Sequence, residues 1–129
     1  ATPFEIVGAP YIDGDVLARE LTQLHLPGLA FEATRFTPSA SIFRNESCGG
    51  VRMTITDRAA LRPVRTGVTI ALTLRRLYGD AFNLQAMAPL LRHEATLEAI
   101  RDGKPLDEIA ALWNEAAFAA RRAPYLLYR

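Results

Sequence analysis

A chain of 129 residues, half of them apolar and 22% charged, is long enough to bury the core of one globular domain. Its formal net charge of +1 and the lack of a basic stripe interleaved with aromatic residues disfavour nucleic-acid binding. A single cysteine, Cys48, excludes an intramolecular disulfide, and no clustered Cys/His spacing predicts a metal or cofactor site.

The start of the chain, Ala1 to Phe4, has neither an initiator Met nor the charged-then-apolar pattern of a signal peptide. We therefore expect a piece of a longer protein, and the compartment stays unassigned. The longest apolar stretch, 68–74, is too short to span a membrane, so no membrane partner is expected.

The first half of the chain predicts one helix among three strands. Residues 4–8 form a short apolar strand, and a turn over 9–14 leads to a helix that begins near Asp15 and stops before Pro27-Gly28. Residues 29–37 predict a second strand. The period-2 alternation over 51–56 predicts a third strand, and the loop between them, 38–47, is longer than a hairpin needs.

The second half predicts helices. Pro63 suits the first turn of a largely buried helix whose apolar face includes Val64, and a short helix ends at Gly103. One continuous helix is expected from Leu106 to about residue 120, with Trp113 in the core. Residues 125–128 predict a short terminal strand or an apolar clamp.

This order of elements predicts a mixed α/β or α+β fold. We expect one domain over residues 1–129, with a small mixed sheet of three to four strands covered by about four helices.

Two neighbouring signatures are the most specific features of the sequence. Glu46-Ser47-Cys48-Gly49-Gly50-Val51 runs into a strand, and Arg62-Pro63-Val64-Arg65-Thr66-Gly67 opens a helix. Binding sites are often built where such elements end. The candidate cleft residues are therefore those of the two signatures and of the preceding loop: Thr37, Pro38, Glu46, Cys48, Gly49, Gly50, Arg62 and Arg65.

Each candidate has a structural interpretation beside the functional one. A nucleophilic Cys48 would need His25 or His93 as a base, and nothing in the sequence places either nearby, so a small buried residue fits better. Gly49-Gly50 matches no phosphate-binding spacing, which favours a bulge or turn. Asp57 is expected to cap the turn before the Arg62 helix.

Arg62 and Arg65 lie in the first turn of their helix, where a positive side chain opposes the helix dipole. Two explanations remain open at this point. The arginines grip a carboxylate of a ligand or partner domain, or they form an internal ion pair with Asp57. No pair of acidic residues is marked out for acid/base catalysis.

Five motifs stand in a characteristic order along the chain: Pro3-Phe4-Glu5-Ile6-Val7-Gly8-Ala9-Pro10, Phe36-Thr37-Pro38, Cys48-Gly49-Gly50-Val51 with Thr56-Asp57-Arg58, Arg62-Pro63-Val64-Arg65-Thr66-Gly67, and Tyr125-Leu126-Leu127-Tyr128. Together they resemble the C-terminal domain of the NamZ-type exo-β-N-acetylmuramidases, and the resemblance covers nearly the whole chain. Ile42 departs from it, because a basic residue is expected there, which weakens the case for sugar contact by loop 38–47.

The resemblance implies an auxiliary, cleft-forming domain of a glycoside hydrolase in peptidoglycan turnover and recycling. The implied partners are an N-terminal Rossmann-like domain of the same polypeptide and a peptidoglycan fragment that ends in N-acetylmuramic acid. The catalytic carboxylates would lie in that other domain, so no catalytic residue is assigned here, and a periplasmic or secreted location is implied. The alternatives are an independent carbohydrate- or protein-binding module and a small enzyme that uses Cys48.

Overall fold

A computed structural model describes residues 4–127 and confirms the mixed α/β class. The strands are β1 (Ile6–Ala9), β2 (Leu29–Phe36) and β3 (Cys48–Ile55). The α-helices in this part of the chain are α1 (Gly14–Gln23), α2 (Pro63–Tyr78), α3 (Ala88–Leu91), α4 (Glu94–Arg101), α5 (Leu106–Ala111) and α6 (Glu115–Arg122), and short 3-10 helices occupy Gly79–Ala81, Leu84–Met87 and Ala123–Tyr125.

The three strands form a sheet in the order β1-β3-β2. Both pairings are antiparallel: Val51 of the central strand lies opposite Val7 of β1 and Ala33 of β2. The mixed sheet that we expected is therefore wrong. β1 and β2, joined through α1, do run in the same direction, but β3 lies between them, and so no parallel pair forms.

Helices cover one face of this sheet. Val51, Phe31 and Ala9 on that face pack with Leu17 and Leu21 of α1. Helix α2 joins two clusters, because it gives Ile70 and Leu74 to the sheet side and packs on α4 and α5 with its other side. The second cluster consists of Val68, Ala71, Leu84, Leu97, Ala99, Ile100 and Ile109.

Two predicted helical features hold only in part. Val64 is 62% exposed and Leu72 is half-buried, whereas the other apolar residues of the predicted face of α2, Val68, Ala71 and Leu74, lie in the interior. The prediction of one continuous helix over 106–120 is wrong. The helix is interrupted between α5 and α6, where Asn114 has a left-handed backbone conformation with a φ of 47°. Trp113, half-buried just before the break, donates its indole N–H to Thr96 Oγ1 at 3.0 Å and so fixes the end of α5 on α4.

The predicted terminal strand is also wrong as far as the described residues extend. Ala123–Tyr125 is a 3-10 helix, and residues 126 and 127 belong to no strand. Tyr128 lies outside the described residues. This segment follows helix α6, in which every residue is exposed.

Candidate functional site

The candidate cleft residues fall at the two ends of the central strand. Cys48, Gly49 and Gly50 begin β3, and the loop from Thr37 to Ser47 that carries Pro38 and Glu46 leads into it. The turn before Arg62 follows the other end of β3, beside Gly28. An eight-residue strand is about 23 Å long. The structure therefore brings Thr37, Pro38, Glu46, Cys48, Gly49 and Gly50 to one region and leaves Arg62 and Arg65 at the opposite end.

Gly49 and Gly50 form neither a bulge nor a turn, which corrects the sequence interpretation. Both lie in a regular ladder, with Gly49 opposite Ala9 and Arg35. Their function is close packing: a Cβ on Gly49 would clash with the carbonyl oxygen of Ile12. The missing side chains allow the turn between β1 and α1 to lie directly on the central strand.

Cys48 is a buried structural residue, as the simpler interpretation predicted. Its side chain has no exposed surface, and Sγ lies 3.7 Å from the carbonyl oxygen of Glu46. Burial, and secondarily the charge of Glu46, raises the pKa of the Cys48 thiol. His93 Nδ1 lies 2.8 Å from Thr96 Oγ1, in a hydrogen bond on the other side of the core. With a raised pKa and no hydrogen bond to an imidazole among the described residues, Cys48 is poorly suited to nucleophilic chemistry.

A cavity of about 550 Å³ opens at the Cys48 end of the sheet. Tyr11, Asp13 and Arg35 line it, together with Gly49 and the first turn of α1. The wall on the Tyr11 side is braced by α2, because Tyr11 and Tyr78 pack edge to face with ring centroids 5.6 Å apart. The Tyr78 hydroxyl lies 3.2 Å from both the backbone N and the backbone O of Asp13. It accepts from the first and donates to the second.

The charged groups that line this cavity differ in their contacts: the Asp13 carboxylate caps a helix, and the Arg35 guanidinium forms no ion pair within residues 4–127. Asp13 Oδ1 accepts hydrogen bonds from the backbone N of Asp15 (3.0 Å) and of Val16 (3.1 Å), so this carboxylate caps α1. Burial raises the pKa of Tyr11 and of Tyr78 above the ordinary value of a phenol. Within residues 4–127, no carboxylate lies within ion-pair distance of Arg35.

Sequence reasoning did not select Tyr11, Asp13, Arg35 or Tyr78. The sequence predicts a turn over 9–14, and an Asp before an apolar helix signals an N-cap, so local sequence does contain a signal for Asp13. Arg35 and Tyr78 carry no local signal, since they reach the cavity only through strand pairing and helix packing.

Arg62 and Arg65 make contacts inside the domain, and neither pairs with Asp57. The Arg62 guanidinium donates to the carbonyl oxygens of Ala59 (2.9 Å), Ala60 (3.1 Å) and Leu61 (3.1 Å). Arg65 forms an ion pair with Asp107 at the start of α5. The internal ion pair with Asp57 is therefore wrong.

Asp57 caps the turn, as predicted. Its Oδ1 accepts hydrogen bonds from the backbone N of Ala59 at 2.8 Å and of Ala60 at 3.3 Å. In the turn before α2, Asp57 thus accepts hydrogen bonds from backbone N–H groups, and Arg62 donates to backbone carbonyl oxygens.

Within residues 4–127, no group of three or more His, Cys, Asp or Glu side chains is arranged to hold a metal ion. Among the described helices, none has the length and apolar character needed to cross a membrane.

Comparisons with known proteins give a consistent match. The family model described as "Exo-beta-N-acetylmuramidase NamZ, C-terminal" matches residues 1–128. The peptidoglycan beta-N-acetylmuramidase NamZ of Bacillus subtilis is 32% identical over 131 residues, which cover 98% of this chain and 32% of that protein. A crystal structure of a DUF1343 family protein from Bacteroides fragilis has the same fold, with a TM-score of 0.72 and 22% identity over 100% of this chain and 36% of its own. The chain thus spans about a third of the length of each of these relatives.

Proposed function

The chain belongs to the family of NamZ exo-β-N-acetylmuramidase C-terminal domains, and we propose that it is the auxiliary domain of a peptidoglycan-degrading exo-β-N-acetylmuramidase. In this proposal it forms one wall of the substrate cleft and has no activity alone. Its partners are an N-terminal Rossmann-like domain of the same polypeptide and a peptidoglycan fragment that ends in N-acetylmuramic acid.

One observation carries this proposal: the family match extends over residues 1–128, yet the chain corresponds to about a third of the Bacillus muramidase. Glycoside hydrolysis ordinarily requires two carboxyl groups that flank the scissile bond. We assign these groups to the remaining two thirds of such a protein, and assign substrate contact to this domain.

The cavity at the Cys48 end suits that contact. N-acetylmuramic acid carries a carboxylate, and Arg35 offers a guanidinium that forms no ion pair within residues 4–127 and is able to bind a carboxylate with two hydrogen bonds. Tyr11 offers an aromatic ring beside the cavity, against which the apolar face of a sugar ring can pack. Thr37, Pro38 and Glu46 lie on the loop at the same end and form the outer part of the proposed wall.

Activity measurements test whether catalysis requires the N-terminal domain and whether this domain contributes substrate contact. The isolated chain should release no N-acetylmuramic acid from a chromogenic muramide, whereas a fusion of the N-terminal two thirds of the Bacillus relative with this chain should release it. In the fusion, Arg35→Ala should lower kcat/KM, and Arg58→Ala, which removes an exposed arginine at the far end of the sheet, should not. Turnover by the isolated chain would refute the proposal.

An independent carbohydrate- or protein-binding module is the second candidate, because the cavity and the Arg35 side chain that lines it are already present in the domain by itself. Titration calorimetry of the isolated chain with muramyl sugars separates the two. Saturable binding that Arg35→Ala abolishes, with no gain of activity in the fusion, would favour the binding module.

A further inference from the structure

The last described part of the chain is an exposed apolar surface. We call residues 115–127, which comprise α6 and the 3-10 helix after it, the C-terminal segment. Every residue in it is exposed. Four large apolar side chains lie there: Phe118 is 54% exposed, Tyr125 84%, Leu126 48% and Leu127 90%.

Helix α6 lacks what stabilises a helix of its size. It has eight residues, no buried side chain and no side-chain hydrogen bond at its N-cap residue, Asn114. Isolated helices shorter than about 12 residues are marginal in water, and most helical stability in proteins comes from packing of an apolar face. No side chain of the segment is buried against the rest of residues 4–127, so it needs a partner surface.

The size of the segment argues against a second copy of the chain as that partner. Eight helical residues extend about 12 Å, and a stable association of two proteins needs about 1,000 Å² or more of well-packed interface. A domain in the same polypeptide needs less, since interfaces between linked domains begin near about 600 Å² and the link supplies a high effective concentration. The Bacillus and Bacteroides relatives both extend well beyond the part that matches this chain.

The charge of the segment defines the partner surface. The Arg121 guanidinium carbon lies 6.0 Å from the centre of the Phe118 ring, and Arg122 follows it in the last turn. No carboxylate in residues 4–127 forms an ion pair with either arginine. A complementary surface has an apolar groove for Phe118 and carboxylates at its edge.

We propose that the C-terminal segment is the element that docks this domain onto the larger domain of its own polypeptide. Phe118, Tyr125, Leu126 and Leu127 fill an apolar groove of that domain, and Arg121 and Arg122 meet carboxylates at its edge. The inference depends on the proposed function only in requiring a larger domain in the same polypeptide. It assigns to the segment an attachment role separate from the substrate contact at the Cys48 end of the sheet.

Hydrogen–deuterium exchange tests this docking. In the isolated chain, the amides of residues 115–127 should exchange rapidly, and in the fusion with the N-terminal part of the Bacillus relative they should exchange at least about tenfold more slowly. Phe118→Asp should restore rapid exchange in the fusion. Leu90→Asp is the matched control, because Leu90 is 87% exposed on α3 and lies outside the segment. Neither substitution should change the thermal unfolding of the isolated chain.

Two results would overturn the proposal: rapid exchange of the segment in a folded fusion, or protection in the isolated chain that rises with its concentration, which would identify a second copy as the partner. If the fusion does not fold, the intact Bacillus relative gives the same readout, and rapid exchange in the part aligned with 115–127 is decisive against docking. Activity is recorded in parallel. An active fusion with an unprotected segment refutes docking alone, whereas an inactive fusion with a protected segment counts against the proposed cleft function alone.

Discussion

Gly14 lies so close to Gly50 that a Cβ on Gly14 would stand 2.5 Å from the Gly50 carbonyl oxygen. The contact joins the first residue of α1 to the central strand, backbone to backbone. It lets the N-terminus of α1 form part of the cavity that Tyr11 and Arg35 line.

Gly14→Ala should therefore destabilise the domain by about 1–3 kcal/mol, since the backbone of α1 or of β3 must move to admit a methyl group. The matched control is Gly67→Ala in α2, where a Cβ would meet no atom within 4 Å. That change should stabilise the helix by about 0.5–1 kcal/mol. Urea unfolding measures both, and equal effects would contradict the packing account.

Cys48 should make stability sensitive to alkaline pH. Folding raises the pKa of its thiol above the unfolded value of about 8.5, so its contribution is fully present below that pH and is lost as the pH rises through the folded value. We expect the free energy of unfolding to fall above about pH 8.5. In Cys48→Ala the fall should begin only near about pH 10, where Tyr11 and Tyr78, whose pKa values are also raised, contribute. Urea unfolding at a series of alkaline pH values measures the free energy of unfolding of the unsubstituted protein and of Cys48→Ala. If the free energy begins to fall at the same pH in both, the effect does not come from Cys48.

Arg62 should act on stability and not on substrate. Arg62→Ala removes one guanidinium nitrogen, whose two hydrogens are shared among the carbonyl oxygens of residues 59–61. The loss should cost about 0.5–1.5 kcal/mol, since these partly exposed carbonyls can turn to water. Arg58→Ala, in the same turn, should change stability by less than about 0.5 kcal/mol. Chemical denaturation gives both values. Unchanged stability together with lower kcat/KM in the fusion would instead assign Arg62 to ligand binding.

The hydrogen bond from Trp113 to Thr96 should couple α5 to α4. Thr96→Val leaves the indole N–H without its acceptor, breaks the hydrogen bond with His93, and should cost about 1–3 kcal/mol. The cost should be clearly less in a Trp113→Phe background, where only the bond with His93 is lost. A double-mutant cycle by urea unfolding measures the difference. Trp113 is the only tryptophan, so its fluorescence also reports the change directly in the Trp113-containing proteins. A coupling energy near zero would contradict this account.

Local patterns predicted much of the fold. The alternation over 51–56, Pro63 at a helix start and Gly103 after a helix end each identified an element that the structure contains. The continuous helix over 106–120 failed for a nonlocal reason. Its apolar spacing is helical throughout, but the bond from Trp113 to Thr96 and the left-handed Asn114 end α5 where the core ends.

The candidate site was predicted less well, because its geometry depends on which strands are neighbours. The glycines at 49 and 50 were recognised as special, yet only the strand order shows that the turn at Ile12 lies on them. The partner of Arg65 is 42 residues away in sequence, at Asp107, so proximity along the chain pointed to the wrong carboxylate, Asp57.

The central position of β3 also determines when a sheet becomes possible. β1 and β2 have no hydrogen-bonded strand neighbour other than β3 within the described residues. When synthesis has reached residue 47, this domain therefore has two strands that cannot pair with each other in the native way. The native sheet can form only after residues 48–55 have been synthesised. Until then, the apolar side chains of α1 have no complete sheet to pack against.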